Sequence, residues 1–417
     1  MFAPSKFSRL VAASACSNLA DGALQTVLPL VALGITRDPG AFAAVTLVGR
    51  LPWLLVALPA GAMSDRLDRR TTMTRVNVLR VGLIGALAVA VAAGTQELWM
   101  LYLVAFALGV GETFYDTSAQ SIVPSLVPDS RRLERANSRL YAVELTANQF
   151  VGPALGGVVA GLTLTGGLSA SAGAYLLAAI VLTTIAGNYR PAAPAAKARL
   201  HTDIADGVRY LAHHKLLRAL AICVGVSNLA STAMFAVFPL FAVEPGPMGL
   251  DGAGFGLLLS AIAAGSVAGS FVVDRVVRRL GQRRALLMAM AGFPLMPLVP
   301  ALTSNVLWVA AAFIVSAAIG IGWNVITVSL RQRIVPDHLL GRVNAGYRLL
   351  AWGTMPIGAA VGGVVADRFG LTAVFWTSAV LGAMCLPIVL SQVTTARLAA
   401  AQQSEPHDTA PAVVDLP

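Results

Sequence analysis

Charge is scarce in this sequence. Asp, Glu, Lys and Arg make up 12% of its 417 residues, about half the share found in a soluble domain. Cysteine is scarcer still, and Cys16, Cys223 and Cys385 lie far apart inside apolar runs. That spacing excludes a disulfide framework and a paired-cysteine metal or redox motif. The five histidines, His201, His213, His214, His338 and His407, fall in loops or in the tail, so neighbouring residues supply no metal-ligand set and no cofactor is expected. No GxxxxGK[ST] loop occurs, which argues against nucleotide-driven work. An enzyme in the membrane would need a nucleophile, base or metal constellation, and none can be assembled. The formal net charge is +10, yet the basic loops lack the aromatic platforms of a nucleic-acid binder, and no nucleic-acid partner is expected.

What the chain has instead is apolar length. Hydrophobic residues reach 57% and the mean hydropathy is +0.74. A bilayer core needs about 20 apolar residues per helix, and runs of that size recur. They predict an all-α integral membrane protein with twelve spans, at about 10–33, 41–63, 74–94, 98–120, 140–164, 170–188, 217–243, 253–273, 285–302, 305–328, 346–366 and 371–390. The run from Leu10 is too long for a signal-peptide core and reads as an uncleaved first helix. Lys and Arg crowd the start and every loop that follows an even-numbered span, whereas the opposite loops hold only Arg37 and Arg368. This asymmetry places both termini in the cytoplasm. Trp99, Trp308 and Trp376, near span ends, read as interface anchors.

The chain repeats itself. SNLADGALQTVLPL (17–30) matches SNLASTAMFAVFPL (227–240), SLVPDSRRLERAN (125–137) matches RIVPDHLLGRVN (333–344), and GGVVA recurs at 156–160 and 362–366. Gly61 ahead of Asp65 and Arg66 has its counterpart in Gly269 ahead of Asp274 and Arg275. The near-constant offset implies two parallel six-helix repeats, an arrangement suited to a site between them at the membrane midplane. The expected division is 1–188 for the first bundle, 189–216 for a linker, 217–390 for the second bundle and 391–417 for a disordered tail. Within the linker, Ile204, Val208 and Leu211 form one helical stripe, which reads as an amphipathic helix on the inner membrane surface.

GAMSDRLDRR (61–70) resembles the signature between helices 2 and 3 of the major facilitator superfamily, and GPALGG (152–157) resembles its exporter signature in helix 5. RLPWLLVALPAGAMSDRLDRR (50–70), SLVPDSRRLERANS (125–138) and DIADGVRYLAHHKLLRAL (203–220) are similar to the branch containing enterobactin exporters and macrolide or multidrug efflux proteins. The resemblance covers almost the whole chain. It implies rocking-type alternating access and proton-driven antiport, and does not fix the substrate; the apolar cavity expected here suits an amphipathic small molecule of drug, macrolide or siderophore type, carried by a monomer in the lipid bilayer of a bacterial cytoplasmic membrane. A lipid or metabolite transporter of the same fold, or a membrane receptor or scaffold, are the alternatives. One departure stands out: LVAFALGVG (103–111) lacks the Arg that many proton-coupled members carry inside helix 4.

Ionisable groups inside a bilayer are functional candidates by default, since each costs about 2.5 kcal/mol or more. Asp21, Glu112, Asp116 and Glu144 qualify, all in the first repeat. Asp21 lies about 11 residues, roughly 16 Å, into helix 1, and Arg50 lies roughly 14 Å into helix 2 from the other side, so the two are expected to pair. Glu112 and Asp116, four apart, share a helix face, and with Asp21 and Arg50 they are the candidates for proton or substrate coupling. Gln25, Glu144, Asn148, Asn228, Thr232, Trp323, Asn324 and Thr327 are candidate cavity residues; Glu144 reads more readily as a gate or loop contact. Gly61, Asp65, Arg66, Arg69 and Arg70, with Gly269, Asp274 and Arg275, are placed in tight loops that act as a conformational gate. Gly152, Pro153, Gly156 and Gly157 are expected to bend helix 5 and pack it closely.

Overall fold

The computed structural model describes residues 5–56, 63, 66–127, 130–190 and 200–398. Within them the chain is helical apart from an isolated bridge between Val243 and Leu250. The first repeat comprises α1 (Lys6–Leu33), α2 (Pro39–Leu55), α3 (Arg69–Ala92), α4 (Leu98–Leu126), α5 (Ser130–Leu145), a π turn (Thr146–Val151), α6 (Gly152–Leu162) and α7 (Leu164–Thr183). After α8 (Leu200–His213) come α9 (Lys215–Ala242), α10 (Gly252–Gly292), α11 (Leu295–Leu302), α12 (Val306–Ile334), α13 (Asp337–Trp352), α14 (Thr354–Phe369) and α15 (Leu371–Gln392). Among the described residues, eight stretches are long and apolar enough to cross a bilayer, counting α10 with α11 as one and α13 with α14 as another. Large apolar side chains such as Leu162, Phe271, Leu307 and Phe369 are exposed on the outside of the bundle, the surface expected of a protein whose solvent is lipid.

Short polar connections start the helices. Asp38 accepts from the Ala41 amide at 2.7 Å, Asp68 from Thr71 at 2.8 Å, and Asp251 from Gly254 at 2.7 Å; each satisfies an amide that would otherwise lack a partner in the first turn. Glycine closes several others: Gly370, at φ 87°, lets the chain reverse between α14 and α15, a conformation costly for any side chain.

Several expected boundaries shift, for one physical reason: hydropathy marks where a helix meets lipid, not where its hydrogen bonds stop. Helix α3 begins at Arg69, so Arg69 and Arg70 form its first turn and not a loop. Helix α10 continues through Asp274 and Arg275, both exposed, and breaks only at Gly281, φ 78°; these residues are likewise on a helix and not in a tight loop. The fifth span starts ten residues early, at Ser130, and is interrupted by the π turn just before Gly152 and Pro153. A proline ring obstructs the carbonyl four residues earlier, and the wider turn relieves it. The Asn148 carbonyl, which the π turn would bond to the missing Pro153 amide, accepts from Gln25 of α1 at 3.5 Å; Thr26 of α1 also donates to Pro153 O at 3.1 Å, and Ser260 of α10 to Phe150 O at 2.8 Å. Gly61 and Asp65 lie outside the described residues.

The repeat is visible in the packing. Gly156 presses α6 against Ala23 of α1, where a Cβ would come within 2.7 Å of the Ala23 Cα; Gly362 presses α14 against Ala233 of α9, where the distance would be 2.8 Å. The second glycine of each doublet faces the other repeat. Gly157 meets Gly252 and Gly256 of α10, and Gly363 meets Gly40 and Ala43 of α2. Arg37 adds a hydrogen bond to Glu244 O at 2.7 Å. These contacts all lie at the end of the bundle away from the basic loops, and they join the two repeats there.

The linker helix α8 packs on α13. A Cβ on Gly346 would meet the Val208 amide at 2.9 Å, Leu211 is 1% exposed beside Val335 and Val343, and Asp206 pairs with Arg342 at 3.7 Å. The apolar stripe is therefore covered by protein at Val208 and Leu211, where a membrane-surface helix would present it to lipid. The linker residues 191–199 and the tail from 399 lie outside the described residues.

Candidate functional site

Between the two repeats lies a cavity of about 660 Å³. Its wall comes from α1, α2, α4, α5, the π turn, α6 and α7 on one side and from α9, α10 and α14 on the other. Seven of the expected residues line it: Asp21, Gln25, Arg50, Glu112, Glu144, Asn148 and Thr232. Pro153 also reaches the wall, beside apolar Phe235, Phe238, Leu259 and Ile262. The glycine contacts close the end away from the basic loops. Tyr141 and Arg50, both exposed, carry the wall toward the basic end.

The remaining candidates sit elsewhere. Asp116 lies off the cavity wall on α4. Asn228 ties α9 to α13 by donating to Ala351 O at 2.7 Å. Thr327 is buried and donates to Trp323 O at 2.8 Å; Trp323 packs on the cluster around Cys223 and Cys385, and Asn324 is exposed. Helical register, which depth along a helix does not specify, separates these from the wall.

Register also corrects the central pair. Asp21 does not pair with Arg50; its partner is Arg80 of α3, at 3.4 Å. Arg80 is 1% exposed, whereas Asp21 is reached from the cavity. Tyr175 of α7 donates to Asp21 Oδ1 at 2.6 Å, and Arg80 donates to Oδ2 at 3.4 Å. The guanidinium also donates to Ser17 Oγ and Leu108 O, each at 3.4 Å, and is flanked by the rings of Tyr175 at 5.0 Å and Tyr115 at 5.8 Å. Gly111 makes room for it, since a Cβ there would stand 3.0 Å from Arg80 Nε. An arginine of α3 thus lies against the α4 backbone. An Arg deep in an apolar helix was the available signal.

A second acid has an aromatic partner. Glu112 accepts from Trp53 Nε1 at 3.5 Å, and Trp53 stands edge-on to Trp352 of α13 with ring centres 5.0 Å apart. The carboxylate is thereby linked through one side chain to the opposite repeat. Gln25 donates to Asn148 Oδ1 at 2.6 Å, and Asn148 donates to Asn18 at 3.4 Å, so an amide ladder runs from α1 to the π turn.

At the basic end, Arg69 donates to Ser121 O at 2.7 Å and Arg70 to Ile185 O at 2.9 Å. Arg66, exposed, lines a surface cleft with Arg75 and Arg190. Partial burial pushes the Asp68 carboxyl up, but amide donations from Thr71 and Tyr189 and the charge of Arg70 outweigh it and hold it below the usual carboxylate range. Among the described residues, no cluster of three or more His, Cys, Asp or Glu forms a metal site.

Two parallel helical repeats around a central cavity with a charged wall define a membrane transporter of the major facilitator fold. The chain belongs to the family described as transmembrane secretion effector, whose profile matches residues 2–416. It is similar to the multidrug efflux pump Tap of Mycolicibacterium fortuitum, 25% identical with 83% of this chain and 84% of the relative covered. It is also similar to Tap of Mycobacterium tuberculosis, 28% identical with 95% and 93% covered. Among solved structures, a point mutant of the nucleoside transporter NupG superposes with a TM-score of 0.76 at 11% identity, covering 94% of this chain and all of the other. The chain is a multi-pass membrane transporter and not an enzyme.

Proposed function

We propose that this transporter exports amphipathic small molecules of drug, macrolide or siderophore type by proton-coupled antiport, with its basic end and both termini in the cytoplasm of a bacterium. Residues 1–188 and 217–390 act as the two rocking units, joined by the linker 189–216 and followed by the tail 391–417. The observation that carries this reading is the Asp21–Arg80 pair: a carboxylate within reach of the cavity, backed by a cation that cannot leave the protein interior. Protonation of Asp21, or a cationic substrate beside it, competes with Arg80 for one carboxylate, and that competition is the physical requirement for exchange. The apolar wall around Phe235, Phe238 and Ile262 suits a hydrophobic substrate body, while Glu112 and Glu144 suit a positive group on it. The likeness to efflux pumps supports the outward direction.

The test is accumulation of a cationic dye and a macrolide in a drug-sensitive bacterium lacking its main pumps. Cells with the wild-type chain should accumulate less of at least one compound, and a proton uncoupler should abolish the difference. Asp21→Asn should accumulate like the empty strain. Full uncoupler-sensitive export by Asp21→Asn would remove Asp21 from the coupling; no export by wild type present in the membrane would remove drug efflux.

A further inference from the structure

Beneath the Asp21–Arg80 pair, toward the basic end, three helices bring together an unusual set of buried polar groups. Helix α1 contributes Ser14 and Ser17, one turn apart; α3 contributes Asn77 and Arg80; α4 contributes Tyr115 and Ser118. All six side chains are at most 1% exposed. Ser17 donates to Asn77 Oδ1 at 3.2 Å, and the Tyr115 hydroxyl faces Ser14 and Ser17. Yet Ser14 Oγ, Asn77 Nδ2, Arg80 Nε, Tyr115 Oη and Ser118 Oγ have no hydrogen-bond partner. Elsewhere among the described residues the buried hydroxyls of Thr26, Ser171, Ser260 and Ser378 are bonded, and Ser227 Oγ is a single unpartnered hydroxyl outside the cluster. A buried polar atom without a partner costs about 1–3 kcal/mol, so a cluster of them in one place needs an explanation.

Arg80 supplies it. Its guanidinium is loosely held, since its donations to Asp21, Ser17 and Leu108 are all at 3.4 Å. An arginine in a bilayer interior keeps its charge and cannot be left without acceptors. Asp21 is the only one of the two groups that can be neutralised. Below it stand acceptors with capacity to spare, the Ser118 hydroxyl and the neighbouring hydroxyls of Ser14 and Tyr115, with the Tyr115 ring already against the guanidinium. The chamber ends on apolar Leu10, Met73 and Ile122, each fully buried, so bulk water does not serve as the acceptor.

We propose that this chamber is a second seat for the Arg80 guanidinium, taken when Asp21 loses its charge. The proposal rests on Asp21 changing charge during transport. In the first seat Arg80 bridges α3 to α1; in the second it turns toward α4 and the basic end, passing an event at the cavity wall to helices that do not touch the substrate. The titratable groups facing Asp21 are Arg80 from α3, Glu112 and Asp116 from α4 and Tyr175 from α7; Glu144 of α5 lines the same cavity, and Tyr115 of α4 flanks Arg80. The π turn and α6 carry none, and on α1 itself Cys16, Arg9 and Lys6 lie nearer the basic end. Arg80 is the only cation among these groups facing Asp21, and its release is the charge movement that needs housing.

A stability cycle on the purified full chain tests this without relying on transport. In the wild type, Ser14→Ala with Tyr115→Phe should change the melting temperature little, because Arg80 is in its first seat. In Asp21→Asn, where the second seat is needed, the same pair should lower it by roughly 5 °C more than the sum of the separate effects. Adding Arg80→Gln should restore additivity, since no cation then needs housing. Should the Asp21→Asn combination fail to accumulate in membranes, recovery of folded protein on adding Arg80→Gln is the expected result. Additive losses, or a combined defect that Arg80→Gln does not relieve, would overturn the second seat and leave the chamber as packing alone. Failure of the coupling role of Asp21 appears separately, as full uncoupler-sensitive export by Asp21→Asn.

Discussion

Gly157→Leu should prevent closure of the end of the molecule away from the basic loops. At Gly157 even a methyl group would stand 2.9 Å from Gly256 Cα and 3.1 Å from Gly256 N, with the Gly252 carbonyl oxygen nearer still. Carbon atoms in contact prefer about 3.5–4.0 Å, so α6 and α10 must part by roughly 0.6–1 Å for alanine alone. The neighbours are backbone and cannot rotate away. Overpacking of this kind costs about 1–3 kcal/mol, and here it falls on the closed arrangement only. It would shift the balance between arrangements about 5- to 150-fold for alanine and further for leucine. Distances between spin labels at Thr95→Cys and Ser304→Cys, with Cys16, Cys223 and Cys385 replaced by serine, report this end directly. A longer-distance population should grow from wild type to Gly157→Ala to Gly157→Leu. Gly161→Ala is the control, because a Cβ there meets the Ala253 amide at an ordinary 3.4 Å. An unchanged distribution in folded Gly157→Leu would refute the argument that glycine contact sets closure.

Asp68→Asn should lower stability at neutral pH by about 0.3–1 kcal/mol, because Asn caps the helix as well but removes the negative charge at its N-terminus. The Asp68 carboxyl is held below its ordinary value of about 3.9, so its contribution is present above that pH and is lost as pH falls through the lowered value; the gap in melting temperature between variant and wild type should narrow there. Leu211→Glu should release α8 from α13, because the new charge cannot stay buried beside Val335 and Val343, and limited proteolysis should then cut the linker faster with the bundles intact. Trp53→Phe keeps the aromatic edge against Trp352 but removes the donor to Glu112. Its effect on export should match Glu112→Gln if the indole acts through Glu112; wild-type export by Trp53→Phe beside a defective Glu112→Gln would sever that link.

The helical spans, the repeat and the basic loops were all legible in the sequence, because a bilayer forces long apolar runs and leaves little freedom in how they are punctuated. The cavity was half legible. Asp21, Glu112 and Arg50 sit at the wall because depth along a helix can be counted from its ends. Which residue faces which cannot be counted, because rotation about the helix axis is set by packing. Asp21 therefore found Arg80 instead of Arg50. Arg80 itself could have been found: it is a lone cation about eleven residues into α3, and the criterion that singled out the acids applies to it equally. The π turn was announced only by Pro153, and the reach of α3, α5 and α10 beyond the lipid was hidden because charged residues extend a helix as readily as they end it.

The seal at the end away from the basic loops has a chemical peculiarity. Gly157 meets the backbone of Gly252 and Gly256, and Gly363 meets Gly40 and the Ala43 methyl group, so the touching atoms themselves have no proton to gain or lose. The one charged group described in these contacts, Arg37, donates to a backbone carbonyl and stays charged at any physiological pH. Acidity reaches these contacts only through the helix caps beside them, Asp38 and Asp251. The larger share of any sensitivity of the transport cycle to pH or salt is a reading of the other end and of the cavity, where Asp21, Glu112 and the arginines are. The two ends of the molecule answer to different conditions, and varying pH addresses one far more than the other.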